Sequence, residues 1–289
     1  MSFSWLRTYS WLNRFGNLRR VNHTFSSLSK PFYKERSLFG CRIKLNLSRS
    51  TAQQLLFLEG ERFIDERFLL FRYLHKGMNV VDIGANIGYY LLLFENAVGS
   101  QGHVVCVEPS EENLLELESN IHLNGFANVV LHKVAVGKEE GTVGLHSGIN
   151  SGVVEAGGGK YQVPVRRLDS LVSEKVDFLK IDVEGYEGQV LEGAINIIQR
   201  DKPTIFLELH PHIVPQFGFS TRGIIEQLQL QYQSVTLYEK EQPQHQSLLG
   251  KIAVRYLGKD PVYQINDPES YIDHYDTGKH VHTFWAVCK

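Results

Sequence analysis

The sequence has few cysteines and no long apolar run. Its three cysteines, Cys41, Cys106 and Cys288, are scattered, odd in number and without the spacing of a metal-binding motif. This pattern argues against a disulfide framework and favours a reducing compartment. Because no apolar run reaches about 18 residues, we expect no transmembrane helix, and no secretory apolar stretch lies near the start. We therefore expect a cytoplasmic protein.

Acidic residues are absent from the first 34 positions. That segment carries six basic residues, which are Arg7, Arg14, Arg19, Arg20, Lys30 and Lys34. The rest of the chain holds the remaining 24 of the 30 basic residues and all 32 acidic residues, so it is net acidic. A nucleic-acid-binding surface would need the opposite sign of charge, and we expect no nucleic-acid partner for the main domain.

The same opening segment is rich in large apolar residues, which are Trp5, Leu6, Trp11, Leu12, Phe15 and Leu18. On a helix they would form an apolar stripe beside the cations, so one interpretation is peripheral membrane contact through residues 1–34. The alternatives are a loosely ordered extension, a helix docked on the domain, or an organelle transit peptide. We assign residues 1–37 to a basic N-terminal extension and residues 38–289 to the main domain.

Apolar strands and helices alternate through residues 78–240. This alternation predicts an α/β fold with a mostly parallel, doubly wound sheet. The last two expected strands, in "QSVTLYEK" and "HTFWAVCK", have no helical crossover between them, which favours an antiparallel last strand. Residues 41–48 alternate as an exposed strand does, and residues 59–77 and 186–200 each predict a single helix.

Two segments interrupt the alternation. Residues 141–168 are short, Gly-rich and strand-like, which predicts a hairpin insertion with a mobile tip at Gly157, Gly158 and Gly159. Residues 241–281 are polar and contain three prolines, which predicts an irregular loop on the substrate side. The fold around these segments, residues 78–240, would then be the ligand-binding core.

A glycine turn follows the first apolar strand in "VVDIGANIG", at residues 80–88. In open α/β sheets, ligands bind at the carboxyl ends of strands, and Gly84 allows both a tight turn and close approach of a ligand to the backbone. Asp82 can attract a cationic ligand. Glu108 ends the next strand, where a carboxylate can accept two ribose hydroxyls.

The turn distinguishes between two nucleoside cofactors. A dinucleotide site requires G-x-G-x-x-G with pyrophosphate at the helix N-terminus, whereas this turn reads G-A-N-I-G and lacks the second glycine. The acid that opens the loop would repel pyrophosphate but suits ammonium and sulfonium charges. S-adenosylmethionine therefore fits better than NAD.

Six motifs in a fixed order carry a resemblance to a known family. They are "DIGANIGYY", "VEPS", "VAVG", "LDSL", "VDFLKIDVEGYEGQVLEGA" and "IFLELHPH". Together they resemble the FkbM family of S-adenosylmethionine-dependent methyltransferases. The resemblance runs from about Gly40 to the end of the chain, and the K-x-D-x-E-G-x-E block after L-D-S-L is its most specific part.

The resemblance implies a Rossmann-like class I methyltransferase fold, whose seven-stranded sheet ends in an antiparallel strand. It also implies O-methylation of a sugar or polyketide hydroxyl, and hence a small-molecule or glycan acceptor. By position, it implies a cofactor site made of Asp82, Gly84, Ala85, Asn86, Gly88, Glu108 and Ala135. Glu108 would hold the ribose and Ala135 would lie near the adenine. Leu91 departs from the family, because many relatives have a small hydroxyl residue there.

Acidic residues crowd the end of a later strand. If strand alternation continues, Asp182 and Glu184 point the same way, as do Glu208 and His210 on the following strand. Methyl transfer to a hydroxyl needs a proton acceptor, and histidine titrates near neutrality. We predict His210 as the base, with Asp182 and Glu184 as alternates or as anchors for substrate hydroxyls.

Other roles for these acids stay open. The four residues of that cluster could ligate a divalent metal through oxygen-rich coordination. Their spacing is not a metal signature, so no metal ligand is assigned. Glu187, in the first turn of the next helix, would complement the helix dipole. The competing functions for the whole chain are an NAD-dependent oxidoreductase and a non-catalytic binding domain on the same fold.

Overall fold

The computed structural model describes residues 30–61, 64–145, 153–154, 159, 161–239, 262–275 and 283–289. Most of the predicted N-terminal extension, two glycines of the predicted hairpin tip and most of residues 241–281 lie outside this part of the chain. Within it, no helix is both long enough and apolar enough to cross a membrane.

The described residues form strands and helices numbered here in chain order. The strands are β1 Tyr33–Leu38, β2 Cys41–Asn46, β3 Asn79–Ile83, β4 His103–Val107, β5 Val129–His132, β6 Ala135–Val136, β7 Gly141–Leu145, β8 Val153–Val154, β9 Tyr161–Arg166, β10 Phe178–Ile181, β11 Thr204–Leu209, β12 Val235–Glu239, β13 Tyr263–Gln264 and β14 Phe284–Cys288. The helices are α1 Thr51–Glu59, α2 Ile64–Leu70, α3 Tyr89–Val98, α4 Glu111–Asn124, α5 Leu168–Leu171, α6 Glu187–Gly193, α7 Ile195–Asp201, α8 Thr221–Gln231 and α9 Pro268–Tyr275. Two short 3-10 turns span Gly99–Gln101 and Val214–Phe217.

The central sheet has the strand order β13-β12-β14-β11-β10-β3-β4-β5. Strands β5, β4, β3, β10 and β11 pair in parallel, whereas β14 is antiparallel to both β11 and β12. The predicted α/β fold, with a mostly parallel sheet and an antiparallel last strand, is confirmed. The two-residue strand β13 adds an eighth strand at one edge.

The sheet is covered on both faces, as a parallel sheet requires. Val81 and Leu179 belong to the apolar core on one face, while Val80 and Phe178 belong to the core on the other. Neighbouring residues of a strand point to opposite faces, so a run such as "FLKI" in β10 is apolar almost throughout. Lys180 is the exception in that run.

The N-terminal hairpin β1–β2 differs from the exposed strand predicted for residues 41–48. Ile43 and Leu45 are fully buried, so one face of β2 belongs to an apolar cluster. The backbone N–H of Lys44 donates to Asn120 Oδ1 of α4 at 2.7 Å, which satisfies a donor on the edge of the hairpin. The expectation of exposure was wrong because the polar residues of the strand also meet a helix.

Helix boundaries also differ from the predicted ones. The described residues do not form the single helix predicted for 59–77. Helix α1 ends before Gly60, whose φ of 86° only glycine adopts easily, and α2 spans Ile64–Leu70. Residues 186–200 are likewise divided into α6 and α7 at Ala194. The segment 241–281, predicted to be irregular, contains β13 and α9, and Pro268 begins α9 as proline often does at a first helical position.

The small second sheet has the order β6-β9-β7-β8. It lies within residues 135–166, where β7 pairs antiparallel with β9. The chain leaves the main sheet after β5, which ends at His132, and β6 pairs with β9 of the second sheet. The segment 141–168 therefore belongs to the second sheet, which begins at β6 directly after β5.

Glu95 of α3 is expected to weaken the fold at neutral pH. Burial raises the pKa of its carboxyl to about 6, with Asn128 opposing the shift. A raised pKa in the folded state means that stability is lost as pH rises from about 4.5 through 6. We expect Glu95→Gln to raise the free energy of unfolding by about 1–2 kcal/mol at pH 7.5.

Urea unfolding at two pH values checks this expectation. The gain should disappear below pH 4.5, where the carboxyl is protonated in both states. The exposed Glu111→Gln on α4 is the control and should change stability little at either pH. An equal gain from Glu95→Gln at pH 4 and pH 7.5 would contradict the electrostatic explanation.

Candidate active site

A cleft opens at the carboxyl ends of β3, β4, β10 and β11. Its volume is about 280 Å³, near the lower bound of roughly 300 Å³ for small-molecule sites. Of the predicted site residues, the cleft is lined by Gly84, Ala85, Asn86, Glu108, Ala135, Asp182 and Glu184. Glu208 also lines it, so residues far apart in the sequence meet at the edge predicted for a ligand.

The glycine turn is held in place by backbone contacts. The N–H groups of Gly84 and Ala85 both donate to the carbonyl of Val107, at 2.9 and 3.2 Å. Gly84 has a φ of 85°, and a Cβ at this position would lie 1.9 Å from the carbonyl oxygen of Asp182. The turn therefore requires glycine here both for its conformation and for contact with the strand end that carries the acids.

Gly88 allows the backbone turn at the start of α3 and does not line the cleft. It has a φ of 89° at the N-cap of α3, and a Cβ would meet Leu117 at 2.9 Å. Asn86 has a φ of 51° and lines the cleft. The positive φ of a non-glycine residue is costly and tends to occur at functional sites.

Glu108 is fixed by three hydrogen bonds. Its Oε2 accepts the backbone N–H of Asn86 at 2.8 Å, and its Oε1 accepts Ser110 N–H at 2.9 Å and Asn113 Nδ2 at 3.1 Å. Burial raises the pKa of this carboxyl, and these hydrogen bonds oppose the rise. A carboxylate has about four acceptor positions, so the remaining one is on Oε2.

This arrangement differs from the predicted bidentate grip on two ribose hydroxyls. It leaves Glu108 one position for a hydroxyl, beside the backbone of Asn86. Val134 and Ala135 line the same cleft with apolar surface, which suits an adenine ring. The donors and acceptors of the cleft thus fit an adenosine-containing cofactor.

Asp82 lies beneath the cleft and not in its wall. It is completely buried, and its Oδ1 accepts a hydrogen bond from Lys180 Nζ at 3.2 Å. Burial raises the pKa of Asp82, whereas the ammonium of Lys180 lowers it. Asp82 therefore does not line the cleft, because its carboxylate is paired with Lys180, and its predicted contact with a ligand stays a prediction.

Lys180 is a central residue that the predicted set does not include. Its side chain is 1% exposed, with Nζ 3.6 Å from Asp182 Oδ2 and 4.4 Å from the ring centre of Tyr90. Burial alone would lower the pKa of Lys180, but Asp82, Asp182 and Glu208 outweigh it and raise the pKa. The signal in the sequence was a lysine in an apolar strand, since buried lysines are almost always paired.

The acids after β10 do not continue the strand. β10 ends at Ile181, and Glu184 has a φ of 52°, in the left-handed region. Strand alternation therefore cannot explain why Asp182 and Glu184 face the same cleft, and that explanation was wrong. The turn at Glu184 brings its Oε2 to within 3.4 Å of His210 Nε2.

His210 lies behind the acids and is surrounded by carboxylates. Its Nδ1 is 2.6 Å from Glu187 Oε1, and its Nε2 is 3.6 Å from Glu208 Oε1. Burial lowers the pKa of the imidazole, but Glu187, Glu208 and Glu184 outweigh it and raise the pKa to about 10. The predicted role of His210 as a base tuned near neutrality does not fit this environment, because the surrounding carboxylates favour the protonated imidazole.

Glu187 contacts both a backbone N–H and His210, in addition to its predicted position in the first turn of the helix. It is the first residue of α6 and fully buried. Its Oε1 accepts the backbone N–H of Gly185 at 3.0 Å as well as contacting His210. One carboxylate thus fixes both the turn that presents Glu184 and the orientation of the imidazole.

Comparison with known proteins gives a family and several distant structures. Residues 82–235, just over half of the chain, match the family profile described as the Methyltransferase FkbM domain. No curated protein sequence matches the chain.

Among solved structures, a methyltransferase FkbM from Methylobacillus flagellatus KT is 19% identical with a TM-score of 0.44. The match covers 57% of this chain and 40% of that one, so this chain spans less than half the length of that structure. An S-adenosylmethionine-dependent O-methyltransferase from Thermotoga maritima is 14% identical, with a TM-score of 0.41 and coverage of 91% and 86%. A putative Streptococcus mutans methyltransferase in complex with SAH is 10% identical, with a TM-score of 0.43 and coverage of 78% and 96%.

Proposed function

This chain belongs to the FkbM methyltransferase family, and we propose that it transfers a methyl group from S-adenosylmethionine to a hydroxyl of a sugar or of a glycosylated or polyketide small molecule. The observation that carries the proposal is the meeting of two features in one cleft. The glycine turn and Glu108 form one wall, and the carboxylates of Asp182, Glu184 and Glu208 form another.

The wall formed by the turn fits the cofactor. Asn86 and Gly84 would contact the methionine half through their backbone, and Glu108 Oε2 would accept a ribose hydroxyl. Ala135 would pack against the adenine. When bound, S-adenosylmethionine supplies an activated methyl group, so the chain has to align it with the acceptor.

The acidic wall fits an acceptor with hydroxyl groups. Carboxylates accept hydrogen bonds from hydroxyls, and one of them can take the proton as the new C–O bond forms. Asp182 and Glu184 are the candidates for this proton, with side chains 25% and 31% exposed at the cleft. His210 becomes a positioning residue, whose Nε2 lies 3.4 Å from Glu184 Oε2 and 3.6 Å from Glu208 Oε1 behind the cleft.

Two competing functions make different demands on the same cleft. An NAD-dependent oxidoreductase would need room for pyrophosphate at the start of α3, where the second glycine of its motif is missing. A non-catalytic domain would not need the partly exposed carboxylates of Asp182 and Glu184 at the cleft. Equilibrium binding distinguishes them: tight NAD binding without S-adenosylmethionine binding would favour the oxidoreductase, and binding of neither would favour the non-catalytic domain.

The direct test is methyl transfer from isotope-labelled S-adenosylmethionine to a cell extract fractionated by size and polarity. We expect label in a small molecule or glycan, at an oxygen atom identified by mass spectrometry and NMR. Parallel reactions with and without a chelator report metal dependence. Label found on nitrogen or on protein would contradict the proposed acceptor class, but it would not affect the family assignment.

Glu108 is expected to be important for cofactor affinity. In Glu108→Ala the cofactor loses a charged hydrogen-bond acceptor, and the N–H of Asn86 loses its partner. We expect S-adenosylmethionine to bind about 10- to 100-fold more weakly, which corresponds to roughly 1.4–2.8 kcal/mol. Isothermal titration calorimetry measures the change.

The matched control is Glu111→Ala, three residues further on. Glu111 is exposed in the first turn of α4, so its loss changes the charge but no contact of the cleft. Equal affinity in Glu108→Ala and the wild type, with both proteins folded, would remove Glu108 from the cofactor site.

A further inference from the structure

One ring nitrogen of His210, Nε2, faces a group of carboxylates but makes no hydrogen bond to them. Its side chain is 3% exposed, and Nδ1 is occupied by Glu187 at 2.6 Å. Nε2 points at Glu184 Oε2 and Glu208 Oε1, at 3.4 and 3.6 Å. Charge-assisted hydrogen bonds are shorter, about 2.7–2.9 Å, so these distances leave Nε2 without a hydrogen bond among the described residues.

Ligand atoms of Asp182, Glu208 and His210 all lie within 4.8 Å of one another. Neighbouring ligands of a six-coordinate ion at about 2.1 Å lie about 3 Å apart, and opposite ones about 4.2 Å apart. The three atoms therefore need only small movements to coordinate one ion. Lys180 offsets part of the negative charge of Asp182 and Glu208, and an ion would offset more of it.

The surroundings of His210 are those of a metal-ligating histidine. Such a histidine donates its second ring N–H to a carboxylate, which fixes the tautomer and the direction of the ligating nitrogen. Glu187 makes this contact, and it is itself fixed by the backbone N–H of Gly185 at 3.0 Å. The arrangement is therefore a mixed set of oxygen and nitrogen donors with an orienting carboxylate behind it.

We propose that Asp182, Glu208 and His210 bind one divalent cation that accepts mixed oxygen and nitrogen donors, with Mn²⁺ as the probe, and that the ion displaces the proton of His210 Nε2 to solvent. Two carboxylates disfavour the soft ions that prefer thiolates, and the imidazole disfavours Mg²⁺ and Ca²⁺, which take oxygen ligands. Mn²⁺, Fe²⁺ and Zn²⁺ accept the mixed set, and Mn²⁺ is the one that paramagnetic resonance detects. Glu184 lies beside the site and can add a fourth ligand. Asp182 and Glu208 line the cleft, so the ion faces the space where the acceptor would bind.

The role of the ion deepens the proposed function and rests on it. At this place the ion would bind an oxygen of the acceptor and orient it towards the methyl donor, as metal ions do when they act as templates. Ion binding itself does not depend on methyl transfer. The two claims can therefore be tested separately.

The experiment uses the full chain, stripped of metal with a chelator and titrated with MnCl₂. Electron paramagnetic resonance measures free Mn²⁺, and we expect one bound ion per chain with a dissociation constant on the order of 10⁻⁵ M. Asp182→Asn and Glu208→Gln should each weaken binding at least 10-fold. Glu226→Gln, an exposed carboxylate on α8, makes the same change in charge and should leave binding unchanged.

A spectroscopic measurement tests the imidazole. Electron spin echo modulation should show a nitrogen bound directly to Mn²⁺ in the wild type, and this signal should be lost in His210→Gln. Asp182 is partly exposed, so Asp182→Asn should fold even if His210→Gln does not, and thermal unfolding of each variant reports this.

The outcomes separate the two proposals. No Mn²⁺ binding below 1 mM, or equal binding by Asp182→Asn and the wild type, would overturn the metal site. The site would also be overturned if bound Mn²⁺ showed no nitrogen coupling. A chain that binds Mn²⁺ as expected but transfers no methyl group would retain the metal site and contradict the proposed function.

Discussion

Replacing Lys180 by methionine is expected to lower the free energy of unfolding by roughly 3–5 kcal/mol at pH 8, because it leaves a charge unpaired inside the sheet. Methionine has a similar length and is apolar, so the change removes the ammonium with little change of volume. Asp82 is completely buried, and Lys180 Nζ is 3.2 Å from its carboxylate. Without the ammonium, nothing offsets the burial of the Asp82 carboxylate.

The loss should depend on pH in a defined direction. Burial already raises the pKa of Asp82, and removal of Lys180 raises it further. A carboxyl whose pKa is raised in the folded state destabilises the fold above its unfolded pKa of about 3.9, and this effect vanishes below that value. The difference between Lys180→Met and the wild type should therefore shrink as pH falls from 8 to 4.

A second substitution separates loss of the pair from loss of packing. The double variant Asp82→Asn, Lys180→Met has no buried charge at this position and should recover most of the lost stability. Chemical unfolding of the four proteins, wild type, both single variants and the double variant, gives the interaction energy. If the double variant is no more stable than Lys180→Met, cavity formation and not the unpaired carboxylate explains the loss.

Gly84→Ala is expected to damage both the fold and the binding of S-adenosylmethionine. A methyl group at this position would lie 1.9 Å from the carbonyl oxygen of Asp182. The turn and the acidic strand end must then separate, and both of them line the cleft. We expect a loss of at least 3 kcal/mol in unfolding free energy, from a strained φ and an overpacked contact. We also expect at least a 100-fold loss in cofactor affinity.

Gly77 provides a control with nearly the same backbone. Its φ is 81°, against 85° for Gly84, and nothing lies within 4 Å of a Cβ built on it. Gly77→Ala therefore carries the conformational cost of roughly 1–2 kcal/mol without the clash. The difference between the two variants in calorimetric cofactor affinity and in urea unfolding isolates the contact with Asp182. Equal effects of the two substitutions would mean that this contact is not important.

Local patterns in the sequence determine much of this fold. Alternating apolar strands and helices specify a doubly wound sheet, because each strand has to be covered on both faces. The antiparallel last strand was predicted from a missing helix before Phe284. The pairing is confirmed, but the premise was wrong, because α9 lies between β12 and β14. The glycine turn places Gly84, Asn86 and Glu108 near one another, since the carboxyl ends of β3 and β4 meet at the same edge of the sheet.

Other local features were not predictable to the same degree. The helix break at Gly60 and the division at Ala194 depend on how each segment packs, and local periodicity does not report that. The burial of Ile43 and Leu45 in β2 depends on an apolar cluster that includes Tyr89 and Leu92 of α3, more than 40 residues away in the sequence. Periodicity shows that a strand has two kinds of face, but it does not show what covers each face.

The sequence by itself determined the architecture, the family and the residue types at the cleft, because these follow from short-range pattern and motif. Only the tertiary structure decided how the charged residues are divided. It paired Asp82 of β3 with Lys180 of β10 beneath the cleft. It also turned Glu184 into the cleft through a left-handed backbone conformation, and it surrounded His210 with carboxylates. The reason is physical: the pKa of an ionisable group depends on burial and on charges within a few ångströms, and here those charges come from separate strands and turns.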